Sequence, residues 1–247
     1  MNFTILRFDT IESTNTEALN QAKRGADEGL CVVARQQTAG KGRHGRVWSS
    51  EKDAGLYFSI VLRPKIENRL LPLITLMTAI AVHDTLEEFS KIDCDIKWAN
   101  DIHVSGKKIC GILAETGDTT KGLAIVVGIG INLKSSNFPP EIKEIATSIE
   151  AETNNMPNVD DLLRHLTRTF EFFYDILQKN NGAEKIRQDW TKRSSYAFGK
   201  NVRVILENQT IFGITQGIEE NGALRLETAD GEIKIIHAGD VENLRTI

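Results

Sequence analysis

The sequence changes character near Ser195, and this change constrains the fold more than any other feature. Upstream of it, apolar residues recur at both strand spacing and helix spacing. Downstream of Phe198, only short strand-like segments remain, separated by Glu-Asn, Glu-Asn-Gly and Asp-Gly turns. A tail of about fifty residues without any helical pattern is typical of a small antiparallel barrel of the SH3 type. We therefore predict two domains, residues 1–195 and residues 196–247.

The larger domain is predicted to be of the α/β class, with helices packed on one mixed sheet. Strand and helix patterns alternate irregularly, with a hairpin between them, which argues against a strict succession of parallel strand–helix–strand units. Strands are predicted at residues 3–8, 30–35, 56–62, 94–98 and 123–131, a hairpin at 102–109, and helices at 14–24, 71–89, 160–177 and 183–194. The tail strands are predicted at residues 202–206, 210–218, 223–228 and 232–237.

Composition excludes several classes of protein. The net charge of −4 argues against nucleic acid as a bulk partner, so any anion site must be local. The three cysteines form no C-x-x-C pair and lie in or beside apolar runs, which favours buried free thiols over nucleophiles. The sequence shows neither a signal peptide nor an apolar run long enough to span a bilayer. We therefore expect a cytoplasmic protein that binds no membrane.

Residues 36–48 form a glycine-rich loop with a high density of cationic side chains. The loop contains Gln37, the glycines Gly40, Gly42 and Gly45, the basic residues Lys41, Arg43, His44 and Arg46, and finally Trp48. A solvated surface loop is one interpretation, but crowded cations repel one another, so a bound anion explains the composition better. The glycines match G-x-G-x-x-G, yet no apolar helical stripe follows them, which excludes the dinucleotide fingerprint.

Two further segments carry oxygen ligands or charge beside predicted strands. Asn100 and Asp101 form either an ordinary turn or a pair of oxygen ligands for Mg²⁺ that carries nucleotide phosphates. Lys108 is either a solvated edge-strand charge or a lysine that meets a carboxylate or phosphate at the rim of a pocket. Regular strand alternation places Lys108 on the same face as Cys110 and Ile112.

Two polar segments each have a structural and a binding interpretation. Ser13, Thr14 and Asn15 could simply cap a helix, or their side chains could contact a polar head group. Gly128 and Asn132 stand at the end of a predicted strand, where glycine permits either close packing or the approach of a ring whose edge the amide contacts. The histidine spacing fits no zinc site, and the sequence has no G-x-S-x-G elbow.

Five motifs, taken in order, resemble those of the biotin protein ligases, which attach biotin to the carrier domains of carboxylases. They are ESTN at residues 12–15, QTAGKGRHGRVW at 37–48, KWAND at 97–101, GKKICGIL at 106–113 and GIGIN at 128–132. Each motif is weak alone, but five in order are specific, and the resemblance spans essentially the whole chain. Lys41 stands where the family often has arginine, and Ala99 replaces the usual proline.

The resemblance implies a reaction in two steps. The biotin carboxylate attacks the α-phosphorus of ATP, which gives biotinoyl-5′-AMP and pyrophosphate. A lysine amine of a biotin carboxyl carrier protein then attacks the mixed anhydride and releases AMP. Neither step needs a nucleophile from the enzyme, and both need positioning and charge neutralisation.

The resemblance also implies roles for individual residues. Lys108 and Arg43 would be catalytic, with Lys108 between the carboxylate and the phosphate. The residues implied to bind biotin or ATP are Ser13, Thr14, Asn15, Gln37, Gly40, Lys41, Gly42, Arg43, Trp48, Lys108, Gly111, Gly128 and Asn132. Asn100 and Asp101 are the candidates for the side that holds Mg²⁺ and pyrophosphate.

The partners implied by the resemblance are biotin, ATP and the acceptor domain of a biotin carboxyl carrier protein. Because the chain begins directly at the first predicted catalytic strand, we expect no sequence-specific DNA binding. A monomer and a homodimer are both compatible with the sequence. Two other functions remain open: a lipoate ligase of the same fold, and a non-catalytic module that binds biotin. Lys108 and the cationic loop argue against the non-catalytic module.

Overall fold

Helices and strands alternate irregularly up to residue 193 in the computed structural model, which describes residues 1–136 and 138–243. In chain order they are β1 (Thr4–Ile11), α1 (Thr14–Lys23), β2 (Leu30–Gln37), β3 (Gly55–Leu62), α2 (Leu73–Ser90), β4 (Asp95–Lys97), β5 (Asp101–Val104), β6 (Lys107–Thr119), β7 (Gly122–Asn132), α3 (Ile149–Thr153), α4 (Val159–Leu177) and α5 (Gly182–Arg193).

The first seven strands form one mixed sheet in the order β1-β2-β3-β7-β6-β5-β4. Strands β1 and β2 run parallel, and the other neighbouring strands pair antiparallel. Helix α1 provides the crossover that a parallel pair requires, whereas tight turns are sufficient for antiparallel neighbours such as β6 and β7. The predicted mixed α/β class is confirmed.

Helices cover both faces of the central strands. Ile125, Val127 and Ile129 of β7 belong to the main core, which also contains side chains of α2 and α4. Ala124 and Val126 point the other way and pack with residues of α1. A strand buried on both faces is apolar throughout, which explains why this segment is a continuous β-branched run and not an alternating one. The main core therefore lies on one face of the sheet, and α1 packs on the other.

Five strands from Phe198 onward form a second, antiparallel sheet. They are β8 (Phe198–Ile205), β9 (Thr210–Ile218), β10 (Leu224–Glu227), β11 (Ile233–Ile236) and β12 (Asp240–Asn243), in the order β11-β10-β9-β8-β12. The prediction that this tail contains strands but no helix is confirmed for the residues up to 243. Strands β11 and β12 are the edges of the sheet as far as the chain is described, so the predicted closure into a barrel is not confirmed.

The two sheets meet through a shared hydrophobic core. Val202 and Leu224 of the second sheet are fully buried in the same cluster as Trp98, which follows β4. The indole Nε1 of Trp98 donates a hydrogen bond to the carbonyl oxygen of Gly222 at 2.9 Å. This junction places the second sheet beside the end of β4. The domain boundary at residue 195 stays a prediction.

The predicted elements agree with the observed ones to within a few residues, but three features were missed. These are α3, β12 and the second half of β6. Strand β6 extends to Thr119 because it pairs with β7 from Cys110 to Thr119. After Leu113 the sequence reads Ala-Glu-Thr-Gly-Asp-Thr, which has no alternating apolar pattern and therefore gave no strand signal.

The cysteines are buried free thiols, as predicted. Burial raises the pKa of the Cys31 thiol to about 12, and it also raises the pKa of Cys94 and of Cys110 above the ordinary thiol value. A nucleophilic cysteine requires a lowered pKa, so none of the three fits that role. Within the described residues, no helix is long and apolar enough to cross a membrane.

The packing of α4 gives a test of the core. Phe170 is fully buried between the helices, whereas Phe172, two residues further along α4, is 60% exposed. We expect Phe170→Ala to lower the free energy of unfolding by about 3–5 kcal/mol, because it leaves a cavity in a close-packed core. Phe172→Ala, the matched control, should change it by less than about 0.5 kcal/mol. Urea denaturation followed by circular dichroism measures both values, and equal effects would contradict this packing.

Candidate active site

A cavity of about 780 Å³ opens between the mixed sheet and the second sheet. It is lined by the start of α1, the cationic loop, parts of β4 to β7, the segment 138–146 and residues 239–242. The predicted site residues that line it are Ser13, Thr14, Asn15, Gln37, Lys41, Gly42, Arg43, Trp48, Asn100, Asp101, Lys108, Gly111, Gly128 and Asn132. Gly40 lies behind this lining, and a Cβ at that position would overlap Trp48 and Ser50.

The floor of the cavity depends on glycines. A Cβ on Gly130 would lie 2.6 Å from the indole of Trp48, and one on Gly111 would lie 2.9 Å from the same ring. A Cβ on Gly128 would overlap the side-chain amide of Asn15. Gly130 and Gly111 are direct neighbours across β6 and β7, so their bare backbone forms a flat surface beneath the indole. Larger residues would displace Trp48 and Asn15 into the cavity.

One end of the cavity carries uncharged polar side chains in a continuous hydrogen-bond network. The hydroxyl of Ser59, fully buried on β3, lies 2.7 Å from Thr14 Oγ1 and 2.6 Å from Asn15 Oδ1. The Nδ2 group of Asn15 donates to the Glu115 carboxylate at 2.8 Å and to the Leu113 carbonyl at 3.2 Å. Because both its donors and its acceptor are held, the Asn15 amide has one orientation.

The network continues into the loop through Gln37. Its Oε1 accepts hydrogen bonds from the backbone N–H of Thr14 at 2.8 Å and from the Thr14 hydroxyl at 3.1 Å. Its Nε2 donates to Ser50 Oγ at 2.8 Å, and that hydroxyl in turn lies 3.0 Å from the Trp48 carbonyl oxygen. Ser13 is the N-cap of α1, its hydroxyl accepting from the backbone N–H of Thr16 at 3.4 Å. The structural interpretation of Ser13 is therefore correct, and Ser13 also lines the cavity.

A β-bulge determines the direction of Lys108. The pairing of β5 with β6 shifts register, so that Ile102 lies opposite Cys110 but His103 lies opposite Lys108, which leaves Ile109 as the extra residue. Ile109 and Cys110 both enter the main core. Lys108 instead points to the cavity, where its Nζ lies 5.4 Å from the centre of the Trp48 ring. The prediction that Lys108 shares a face with Cys110 and Ile112 was wrong, because simple alternation does not account for a bulge.

Lys108 is held by an ion pair inside the cavity. Its Nζ lies 2.6 Å from Asp101 Oδ1, and both side chains are less than one-third exposed. The interpretation of Lys108 as a fully solvated edge charge therefore does not hold. The carboxylate and the indole fix the ammonium over the glycine floor.

The cations of the loop differ in how they are neutralised. Lys41 lies 3.6 Å from the Glu115 carboxylate, and Arg46 forms an ion pair with Asp240 of β12. The guanidinium of Arg43 instead donates to two uncharged groups, Asn100 Oδ1 at 2.8 Å and the Gly239 carbonyl oxygen at 3.3 Å. Arg43 is thus held in place by partners that do not neutralise its positive charge. It is the loop cation best prepared for an anion.

Asn100 and Asp101 provide a poor fit for direct ligands of Mg²⁺. The Oδ1 atom of Asn100 faces the guanidinium of Arg43, and Oδ1 of Asp101 faces the ammonium of Lys108. A divalent cation bound to these two oxygens would lie beside both positive groups and be repelled by them. The assignment of Mg²⁺ to these residues stays a prediction.

Several residues of the site were missed from the sequence. Ser59 and Glu115 hold Asn15, and Gly239 and Asp240 hold the loop. Asn132 was predicted, but its Nδ2 group donates to the Thr147 carbonyl at 3.0 Å, so it also anchors the segment that forms one wall. Glu115 could have been found as the one acidic residue within an otherwise uncharged stretch, residues 109–117. The other contacts join residues far apart in the chain and leave no local signal.

Comparison with known proteins identifies the family. Residues 7–132 match the biotin/lipoate A/B protein ligase family, and residues 197–242 match the biotin protein ligase C-terminal domain. The chain is 39% identical to the bifunctional ligase/repressor BirA of Bacillus spizizenii over 239 residues, which is 95% of this chain and 72% of that protein. The chain belongs to the biotin/lipoate protein ligase family.

Other members of the family agree along nearly the whole chain. The biotin–[acetyl-CoA-carboxylase] ligase of Mycobacterium tuberculosis is 32% identical, with 94% of this chain and 86% of that protein aligned. The biotin protein ligase of Aquifex aeolicus, solved in complex with biotin and ATP, superposes with a TM-score of 0.81 at 29% identity, covering 98% of this chain and 99% of that one. The family match at residues 7–132 includes every predicted site residue from Ser13 to Asn132.

The Ser59 network gives a prediction that needs no ligand. Ser59→Ala should lower the free energy of unfolding by about 1–3 kcal/mol, because it removes the buried hydroxyl that links the oxygens of Thr14 and Asn15. The matched control is Ser49→Ala, at a serine that lines the cavity but has no side-chain hydrogen bond within the described part of the chain. Urea titration of the ligand-free protein measures both. Equal stability of the two variants would mean that the network contributes nothing to the fold.

Proposed function

We propose that this chain is a biotin protein ligase. It would use ATP to form biotinoyl-5′-AMP and then transfer the biotinoyl group to a lysine of a biotin carboxyl carrier protein. One observation carries the proposal: a single cavity has uncharged, pre-oriented polar groups at one end and fixed cations at the other. The substrate that this arrangement fits has a neutral polar head and a carboxylate.

The uncharged end suits the biotin head group. A cyclic urea offers N–H donors and a carbonyl acceptor but no charge. Thr14, Asn15 and Gln37 present hydroxyl and amide groups whose orientation is fixed by Ser59 and Glu115 before any ligand arrives. Pre-orientation lowers the entropy cost of binding, and it rejects groups with the wrong donor pattern, since a mismatched ligand would leave buried polar atoms unpaired.

The cationic end suits the first chemical step. The biotin carboxylate and the α-phosphate of ATP are both negative and must approach each other for the new anhydride bond to form. Lys108 and Arg43 supply positive charge at fixed positions, and the ion pair with Asp101 holds Lys108 in place. Fixed charge in a partly desolvated site stabilises the developing negative charge without reorganisation. Pyrophosphate then leaves with the electron pair of the broken P–O bond.

The remaining groups suit the nucleotide and the second step. Trp48 and Gly111 form a flat surface next to Lys108, and Asn132 lies beside the segment 138–146 on the same wall. We propose that the nucleoside part of ATP binds there, with Mg²⁺ as a counter-ion of its phosphates. The acceptor lysine then attacks the carbonyl carbon of the mixed anhydride, AMP leaves, and the amine loses its proton. Positioning of two reactive groups accounts for this step.

Biotin is favoured over lipoate by the second sheet. The biotin/lipoate family includes both specificities, but residues 197–242 match the C-terminal domain of the biotin protein ligases, and similar proteins include a biotin–[acetyl-CoA-carboxylase] ligase and a biotin protein ligase. A cytoplasmic location is part of the proposal, supported by the buried free cysteines. A homodimer and the absence of DNA binding stay predictions.

The direct experiment combines the protein with biotin, ATP, Mg²⁺ and a biotin carboxyl carrier domain. We expect biotinylated carrier, detected with streptavidin, and one pyrophosphate released for each biotin attached. A parallel reaction with lipoate separates the two family specificities. Lipoylated carrier would overturn the choice of substrate. Tight binding of biotin without pyrophosphate release would support the non-catalytic module instead.

Lys108 should be required for adenylation but not for folding. Lys108→Met removes the charge and keeps the length of the side chain, and we expect it to lower the rate of biotin-dependent pyrophosphate release by about 10²–10³-fold. Lys107→Met is the matched control, because Lys107 is the exposed neighbour on the same hairpin. Single-turnover kinetics and thermal melting of both variants provide the measurement. Adenylation at the normal rate in Lys108→Met would remove its assigned role.

Arg43 should retain the activated intermediate. Arg43→Gly deletes a fixed cation that has only uncharged partners, so biotinoyl-5′-AMP should dissociate about 10–100-fold faster. Escaped intermediate would label lysines of an added bystander protein. Arg24→Gly, at the exposed C-cap residue that follows α1, is the control. Unchanged dissociation of the intermediate from Arg43→Gly would refute this retention role.

A further inference from the structure

Glu115 of β6 places a carboxylate beneath the start of α1. It does not belong to the described lining of the cavity, but it contacts Asn15, which does. Two residues further along β6, a Cβ on Gly117 would lie 2.6 Å from Leu19, so this glycine lets α1 pack closely on the strand. The close packing brings the carboxylate within 2.8 Å of Asn15, in the first turn of α1.

The contact with Glu115 determines the orientation of the Asn15 amide. The Nδ2 group faces the Glu115 carboxylate at 2.8 Å and the Leu113 carbonyl oxygen at 3.2 Å. Carboxylate and carbonyl oxygens only accept hydrogen bonds, so the group that faces them must be the NH2, and both of its protons are used. The Oδ1 atom faces the Ser59 hydroxyl at 2.6 Å. Any further hydrogen bond of the Asn15 side chain is therefore one that it accepts.

The oxygens around Asn15 have fewer protons than contacts. Ser59 Oγ contacts Asn15 Oδ1 at 2.6 Å and Thr14 Oγ1 at 2.7 Å, and Thr14 Oγ1 contacts Gln37 Oε1 at 3.1 Å. Only the hydroxyl groups of Ser59 and Thr14 can supply protons to these three contacts, because both amide oxygens only accept. One contact is left without a proton. A ligand that donates a hydrogen bond at this end of the cavity would supply the missing proton.

The second oxygen of the Glu115 carboxylate faces the cationic loop. It lies 3.6 Å from the ammonium of Lys41. This positive charge offsets part of the cost of placing a carboxylate beside the buried side chains of Asn15 and Ser59. An ionised carboxylate only accepts hydrogen bonds, whereas a neutral amide in its place can turn either its oxygen or its NH2 group towards Asn15. Glu115 therefore allows a single orientation of the Asn15 amide.

We propose that Glu115 is a positioning residue that makes the uncharged end of the cavity accept hydrogen bonds, so that the cavity selects an acid whose head group donates an N–H. This proposal rests on the proposed function, in which that acid is biotin. A cyclic urea donates through its N–H groups, whereas the dithiolane ring of lipoate has no N–H. Bound lipoate would leave the buried oxygens of Thr14 and Asn15 short of a donor. Glu115 thus contributes to the choice of substrate without contacting it.

The test compares biotin with two analogues in which one or the other ureido N–H is replaced by oxygen, which gives cyclic carbamates of nearly the same shape. Binding of each ligand to the protein without ATP is measured by titration calorimetry. We expect wild type to bind at least one carbamate about 10–100-fold more weakly than biotin, because a buried oxygen then lacks its donor. The control Asp118→Asn, at an exposed carboxylate further along β6, should discriminate as wild type does.

Glu115→Met and Glu115→Asp should both reduce this discrimination to less than about 5-fold. Methionine removes the acceptor, and aspartate withdraws the carboxylate by one methylene, so neither variant holds the Asn15 amide in one orientation. Affinity for biotin should fall, while affinity for the carbamate stays close to the wild-type value. Glu115→Gln, whose oxygen can still accept, should lie between these variants and wild type. Thermal melting checks that each variant is folded.

Three results would overturn the proposal. Full discrimination in Glu115→Met or in Glu115→Asp would show that Asn15 does not need the carboxylate. An equal loss of affinity for biotin and for both carbamates would show that Glu115 has only a structural role. Equal binding of biotin and both carbamates by wild type would contradict the accepting character of this end of the cavity, and it needs no substitution. Failure of the proposed function looks different, because wild type would then bind no biotin.

Discussion

The ion pair between Lys108 and Asp101 is the interaction on which the rest of the site depends. It forms because β6 contains one extra residue, Ile109, relative to β5. Without the bulge at Ile109, alternation along β6 would point Lys108 into the main core beside Cys110 and Ile112. A lysine there would lose its hydration without gaining a partner, which a core does not tolerate. The bulge turns the ammonium towards the cavity, where Asp101 and the Trp48 ring hold it. Bulges beside active sites commonly redirect a side chain in this way.

The second sheet contributes directly to the site, because it holds the cationic loop. The loop contacts residues 239 and 240 through Arg43 and Arg46, and Trp98 donates to the carbonyl of Gly222. The loop is therefore held from both sides, by Glu115 on the mixed sheet and by β12 on the second sheet. An arginine whose hydrogen-bond partners are uncharged retains its full electrostatic attraction for an anion, whereas a carboxylate partner already neutralises most of the charge. Arg43 is of the first kind and Arg46 of the second, although both belong to one loop.

The sequence was sufficient for features that depend on local pattern. The strands, the long helices, the change near Ser195 and the order of the motifs follow from periodicity, turn chemistry and spacing. Features set by long-range pairing could not be found this way. Ser59 and Glu115 look like ordinary strand residues until β3 and β6 are placed beside α1. The face of Lys108 was predicted wrongly because one-residue bulges leave no mark on the apolar pattern, yet they reverse every side chain beyond them.

The same bulge also reconciles two requirements of the proposed chemistry, a cation in the cavity and no reactive thiol there. A mixed anhydride of biotin and AMP reacts with any accessible thiolate, so the enzyme must keep its own nucleophiles away until the acceptor lysine arrives. Cys110 is the neighbour in sequence of Gly111, which lines the cavity. Its side chain faces the core on the opposite side and is fully buried, and this burial raises its pKa. Because the bulge places Lys108 and Cys110 on opposite faces, the cation can reach the cavity while the thiol stays in the core.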